Sequence, residues 1–155
     1  MRLRLLVVLA AGIAAGAVIQ AAAFGGTAAE IRKPTTIHVI EHASTDTVID
    51  TGKKGDTTGD LLTFHNPVFD KADKKQAGHD QGQCIRIAVG SSWECTWTTF
   101  LPGGHVTVEG PFFDARNSVL AITGGTGAYR NARGAMLLQS RAGGTKFDFV
   151  FRLIP

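Results

Sequence analysis

Several things are scarce in this sequence, and each scarcity excludes something. No stretch beyond residue 30 shows a convincing helical period, so helix-borne chemistry has no scaffold there. Charged residues are only 19% of the chain, and no Lys/Arg cluster with interleaved aromatics occurs, which removes the electrostatic case for nucleic-acid binding. A phosphate loop is missing too. The glycine-rich stretch Gly124-Gly125-Thr126-Gly127 has no following Gly-Lys-Ser/Thr, and a strand rather than a helix is expected after Gly134. No Ser/His/Asp arrangement is identifiable, because His65, His79 and His105 lie in scattered contexts. His38-Val-Ile-Glu-His42 spells an inverted zinc-protease motif, but that chemistry needs a helix. On a strand the two His lie roughly 13 Å apart with Glu41 on the opposite face, so no metal is expected.

What is present begins with a leader. Arg2 and Arg4 precede an unbroken apolar run, Leu5 to Ile19, followed by small residues with candidate cleavage points after Ala23 or Ala29. Residues 1–29 therefore read as a signal peptide, and residues 30–155 as one mature domain. The competing reading is an uncleaved membrane anchor. The run is weakly apolar and no basic stop-transfer cluster follows it, which favours export and a secreted, extracellular protein with no stable membrane insertion. No Cys follows the run, against a lipoprotein. Removing the leader takes away Arg2 and Arg4 and no acid, so the formal charge falls from +3 to +1.

Nineteen glycines and many alternating segments then point to short strands joined by tight turns. Strands are expected at Thr36–His42, Asp60–Phe69, Cys84–Val89, Trp93–Leu101, His105–Glu109, Ser118–Thr123, Ala135–Arg141 and Lys146–Ile154. The last carries Phe147, Phe149, Phe151 and Leu153 at a strict period of two, a stripe that must be buried. Ser44–Gly59 reads as a mobile polar loop, and Asp70–Gln83 as a charged connector. Seven or eight strands with hairpin-length links fit a sandwich or an up-and-down barrel.

Cys84 and Cys95 bracket a hairpin folded at about Val89-Gly90-Ser91. A symmetric turn sets them opposite each other on one face, and an oxidising compartment favours a disulfide; the alternative is two separate buried thiols. If Cys84 and Arg86 point inward, Ile85, Ile87 and Val89 point outward and need a cover, such as a subunit interface. Otherwise the disulfide lies outside.

Four ordered motifs give a resemblance. Ala121-Ile-Thr-Gly-Gly-Thr-Gly-Ala-Tyr-Arg-Asn-Ala-Arg-Gly134 resembles a signature of dirigent proteins and plant allene oxide cyclases. Gly59-Asp-Leu-Leu-Thr-Phe-His-Asn66 is similar to a cyclase strand of the form G-D-L-x-x-F-x-N, Gly78–Cys84 to G-x-x-x-G-x-C, and Gly104–Phe112 to G-H-x-x-V-x-G-P-Y. The resemblance spans residues 36–153 and implies an all-β, eight-stranded antiparallel up-and-down barrel, lipocalin-like in form. It further implies a cofactor-independent cyclase or isomerase acting on a hydrophobic small molecule (a lipid, terpenoid or phenolic) by confinement and orientation, and a homotrimer. A non-catalytic dirigent-like or carrier-like barrel, or a filled structural barrel, is the alternative.

By the same resemblance Glu41 and Asn66 are the catalytic pair, and Phe64, Cys84, Trp93 and Phe112 line the substrate site. Three features depart from the family pattern, and a disulfide at Cys84 would be a fourth, since the family's Cys is a free thiol. Ala43 stands where the family has Asn, its Ser-Pro pair is missing from Ser44–Gly59, and Phe112 replaces a Tyr. On residue grounds alone, Glu41 shares a face with Ile37 and Val39, so it is either a functional acid in an apolar interior, the partner of a buried Arg such as Arg86, or a rim residue. Asn66 either orients a ligand oxygen or satisfies backbone near Pro67. Phe64, Trp93, Trp97 and Phe112 are cavity wall or packed core.

Overall fold

The computed structural model describes residues 35–154, so the expected leader at residues 1–29 lies outside the described residues. Nine strands follow in order: β1 (Thr35–His42), β2 (Thr47–Ile49), β3 (Leu61–Asp70), β4 (Gln76–Ala88), β5 (Ser92–Leu101), β6 (Gly104–Phe113), β7 (Ser118–Gly125), β8 (Gly134–Arg141) and β9 (Lys146–Leu153). All neighbours are antiparallel, in the order β1-β9-β8-β7-β6-β5-β4-β3-β2, and β1 also pairs with β3. That last pairing closes eight strands into a barrel and leaves β2 as an extra strip on β3. The closed form, rather than two facing sheets, is the architecture.

Closure follows from the period-two patterns. On β5, Trp93, Cys95, Trp97, Thr99 and Leu101 are buried while the residues between them are more open. On β9, Phe149 and Phe151 are fully buried and meet edge to face, ring centroids 6.3 Å apart. Each buried aromatic of this size contributes roughly 1.5–3 kcal/mol. Much of the interior is packed solid by such side chains, with Val68, Val106, Val108, Leu120 and Met136 at or below 1% exposure. An interior of eight strands is just wide enough for this.

Two connectors differ from their sequence reading. Strand β4 starts at Gln76, inside the expected charged connector, because its inward positions Gly78 and Gly82 admit the neighbouring strand so closely that a Cβ has no room. The polar segment Ser44–Gly59 holds β2, and its far part is pinned rather than loose. The buried Asp60 carboxylate accepts from Thr51 N (3.0 Å), Thr57 N (2.7 Å) and Thr57 Oγ1 (2.9 Å). Those hydrogen bonds, the one from Thr57 N foremost, hold the Asp60 carboxyl below its ordinary value. In the glycine motif, Gly125 and Gly127 do sit where backbone crowds them, whereas Gly124 has nothing within 4 Å of a would-be Cβ.

Loops 43–60, 89–91, 114–117 and 142–145 share one end of the barrel, which is its mouth. On one side of the mouth the buried Arg86 pairs with Asp56 (2.6 Å) and Asp114 (2.7 Å) and lies 3.9 Å over the Trp93 ring, tying two of those loops together. The expected export-compatible disulfide is present: Cys84 and Cys95 are directly opposite on β4 and β5, buried and facing in. Ile85, Ile87 and Val89 accordingly face out, 43–56% exposed.

Candidate functional site

The site is built at a break in the barrel wall. The first half of β3 is edged by β2 and its last residues by β1, so residues 43–46 leave the sheet between them. Asn66, inward and fully buried on β3, fills that break. Its Oδ1 accepts from Ser44 N (3.0 Å), Thr45 N (2.9 Å) and Thr45 Oγ1 (3.0 Å). Its Nδ2 donates to Glu41 Oε1 (2.8 Å) and Asp46 Oδ1 (2.7 Å). Every hydrogen-bonding position of Asn66 is therefore taken by the protein. It satisfies backbone, though of residues 44–45 rather than near Pro67, and it also aims two carboxylates.

Glu41 is 5% exposed and faces in, between Phe147 and Val68 on the flanking strands. Burial pushes its pKa up to about 7, with Asn66 pulling against this and the charge of Asp46 adding to it. Arg86 is not its partner; Arg86 is committed to Asp56 and Asp114 at the mouth. The third carboxyl is Asp80, fully buried on β4 beside Asn66, with Oδ1 accepting from Asn66 N at 3.3 Å. Burial, then the charge of Glu41, raises Asp80 to about 9. His38 and His42, which flank Glu41 in sequence, bond instead to Asp148 and Asp73, each at 2.6 Å.

Glu41 and Asp46 open onto a small chamber walled by Leu62, Phe64, the Cys84–Cys95 disulfide, Trp97, Phe112 and Leu138, with Phe147 and Phe149 completing it. The room for water-sized atoms is about 40 Å³, enough for a few waters. Outside it lies a wider vestibule of about 590 Å³ by the same measure, edged by Phe113–Asn117, Ser140 and Gly144. Asp46, Phe112, Leu138 and Phe147 line both, so the two spaces adjoin, with these four residues at the throat between them. Trp97 reaches the chamber because Gly82 lies opposite it: a Cβ there would stand 2.2 Å from Trp97 Cβ. The Trp97 indole N–H has no hydrogen-bond partner.

Of the expected wall, Phe64, Cys84 and Phe112 line the chamber, and Trp93 does not. Trp93 faces in but sits nearer the mouth under Arg86, and Trp97, four residues deeper, takes the chamber position. Asp46 and Asp80 were not anticipated. Asp80 was recoverable from parity, since it lies four residues before the inward Cys84.

This arrangement, a closed barrel with motif residues Glu41, Phe64, Asn66 and Cys84 gathered at one internal site, coincides with a match to a family model. The model for allene oxide cyclase covers residues 35–154. The chain belongs to the allene oxide cyclase family. Among solved structures, the fold is similar to that of a pyocyanin demethylase, with 26% identity and TM-score 0.64 over 76% of this chain and all of that one. A pterocarpan synthase dirigent protein matches at 18% identity and TM-score 0.66, covering 81% of this chain and 97% of its own. An exo-specific intermolecular Diels–Alderase matches at 12% identity and TM-score 0.64, covering 79% and 98%. At those last two identities the likeness is one of fold. The protein is a cyclase-like barrel of the allene oxide cyclase family, and within it the Glu41 carboxyl stands in an apolar chamber.

Proposed function

We propose that the protein is a secreted barrel that binds a hydrophobic small molecule across the vestibule and chamber and acts on it as a cofactor-independent cyclase or isomerase. The observation that carries this is a buried carboxyl, Glu41, in an apolar chamber that adjoins, across that throat, a vestibule more than ten times roomier. The sizes fix the pose. A ligand of ten or more heavy atoms does not fit in about 40 Å³, so its body lies in the vestibule and only its reactive end enters the chamber. Confinement of that end by Phe64, Trp97 and Phe149 supplies orientation. Glu41 and the free Trp97 N–H supply polarity where charge develops. Solved structures of similar fold, named a pyocyanin demethylase and a Diels–Alderase, support a small-molecule substrate.

The carrier reading also has an observation in its favour: Asn66, one of the two groups expected to do chemistry, is fully engaged by the protein. Displacement of 1-anilinonaphthalene-8-sulfonate tests binding. The wild type binds the dye and Leu138→Trp, which plugs the throat, does not; equal binding refutes the site. With a turned-over substrate in hand, Glu41→Gln abolishes turnover and spares binding in an enzyme, whereas a carrier has no turnover to lose.

Export agrees with the buried Cys84–Cys95 disulfide, which suits an oxidising compartment. The outward Ile49, Leu61 and Ile85 are in register across β2, β3 and β4 and continue to Ile87. We assign this row to the expected homotrimer, with other copies of this chain as the cover. A monomeric mass by light scattering contradicts that assignment.

A further inference from the structure

Asp80 is the least explained group in the barrel. It is fully buried, its Oδ1 holds one long hydrogen bond, and its Oδ2 has no donor from the protein. Asn66 joins it to Glu41, itself a carboxyl, donating its backbone N–H to Asp80 Oδ1 and its Nδ2 to Glu41 Oε1. Two buried carboxylates held on one residue repel unless one of them carries a proton. The groups facing Glu41 are Asn66 from β3, Asp46 from the loop after β1, and the apolar Phe147 and Val68 on its flanking strands. Those facing Asp80 are Asn66 and, directly opposite on β5, the buried Thr99, whose hydroxyl is neutral and itself unpartnered. Among the described residues no Lys, Arg or His is paired with either carboxyl. Nothing there offsets two negative charges. The orphaned Oδ2 is thus explained if it carries a hydrogen and donates it to Glu41.

The geometry points to Asp80 and Glu41 as one proton-holding unit, in which Asp80 stores the proton and Glu41 passes it to an acceptor oxygen on a conjugated carbonyl compound in the chamber. This rests on the ligand-binding reading above and names the substrate class for it. Asp80 does not line the chamber, so it is a positioning residue that acts through Glu41. The step balances without a redox partner. The Asp80 O–H breaks as a Glu41 O–H forms, and that bond breaks as the ligand's O–H forms. A proton then leaves a ligand carbon for Glu41 and returns to Asp80, which leaves an isomerised ligand and the starting pair. Trp97, which lines the same chamber, carries a buried N–H without a partner, and turned to the chamber it would give the same oxygen a second donor. The raised Glu41 and Asp80 values agree with this placement.

The test is a pH titration of carboxyl carbons by ¹³C NMR on the ligand-free protein, so it does not depend on whether a ligand binds. In the wild type, Glu41 and Asp80 titrate together and above the ordinary carboxylate range. In Glu41→Gln, Asp80 moves down toward that range by at least one pH unit, since the charge of Glu41 is removed. In Asp80→Leu, Glu41 loses a donor and moves further up. Either variant serves if the other does not fold. An Asp80 midpoint unchanged by Glu41→Gln, a Glu41 midpoint unchanged by Asp80→Leu, or two independent titrations near pH 4, overturns the pair. The dye-displacement result stands or falls separately, so failure of the binding reading is distinguishable from failure of the proton store.

Discussion

Two strand glycines, chemically identical, should respond in opposite ways to one added methyl. At Gly82 on β4 a Cβ would stand 2.2 Å from Trp97 Cβ, 2.5 Å from Thr96 O and 2.7 Å from Trp97 Cα. Two of those atoms are backbone, and the third is fixed to it, so no rotamer change relieves the clash. Strands β4 and β5 must separate by roughly 1 Å to restore ordinary contact at about 3.5 Å. Overpacking of a core commonly costs about 1–3 kcal/mol, and here the adjustment also strains a ladder, so about 3 kcal/mol or more is expected for Gly82→Ala. At Gly124 on β7 nothing lies within 4 Å and the backbone is not in the left-handed region. Gly124→Ala should be neutral or stabilising by up to about 1 kcal/mol, because it narrows the unfolded ensemble. Urea denaturation monitored by circular dichroism gives both values. Because Gly82 is what lets Trp97 into the chamber, Gly82→Ala should also abolish dye binding while Gly124→Ala leaves it intact. Equal stability changes, or dye binding retained in Gly82→Ala, refute the placement of Trp97.

The Cys84–Cys95 bridge closes a loop of separation 11, which by the chain-entropy relation is worth about 3 kcal/mol; reduction should lower the urea midpoint accordingly, and an unchanged midpoint contradicts a formed bridge. Raising pH should weaken the fold through Glu41 and Asp80. Their native values, about 7 and about 9, lie above the ordinary 4.5 and 3.8, so the native state holds extra protons in that window. Stability is full below pH 3.8 and falls as pH climbs through both values. Glu41's share is about 3 kcal/mol by order of magnitude. The double variant Glu41→Gln/Asp80→Asn should flatten this fall, and an equal slope in the two proteins counts against the buried pair.

Much of the barrel was legible because burial writes itself into alternation. The Phe147–Leu153 stripe and the Trp93–Leu101 strand each declare their inner face, and the inward Glu41 follows from Ile37 and Val39 on the same side. The inner face of β4 near Asp80 carries no such mark. Its inward residues there are Gly78, Asp80 and Gly82, so the period of two is present without a hydrophobic signal, and the segment reads as a charged connector. Only counting back from Cys84 exposes Asp80. Trp93 and Trp97 share a face, and which of them reaches the chamber depends on the stagger of strands around the barrel, a non-local quantity. The partners of Asn66 are similarly remote: residues 44–46 meet it because β1 and β2 part on opposite halves of β3.

The central claim is that a ligand's end enters the chamber rather than resting at the mouth, and the two tryptophans separate these places. Trp97 lines the chamber and Trp93 lies under Arg86 near the mouth. Trp93→Phe leaves Trp97 as the sole tryptophan, and Trp97→Phe leaves Trp93, each read with excitation that spares Tyr129. With acrylamide, a compact conjugated carbonyl that fits the chamber whole and quenches on contact, saturable quenching is predicted in Trp93→Phe and little in Trp97→Phe. Quenching of Trp93 alone, or none that saturates in either variant, contradicts a ligand site in the chamber.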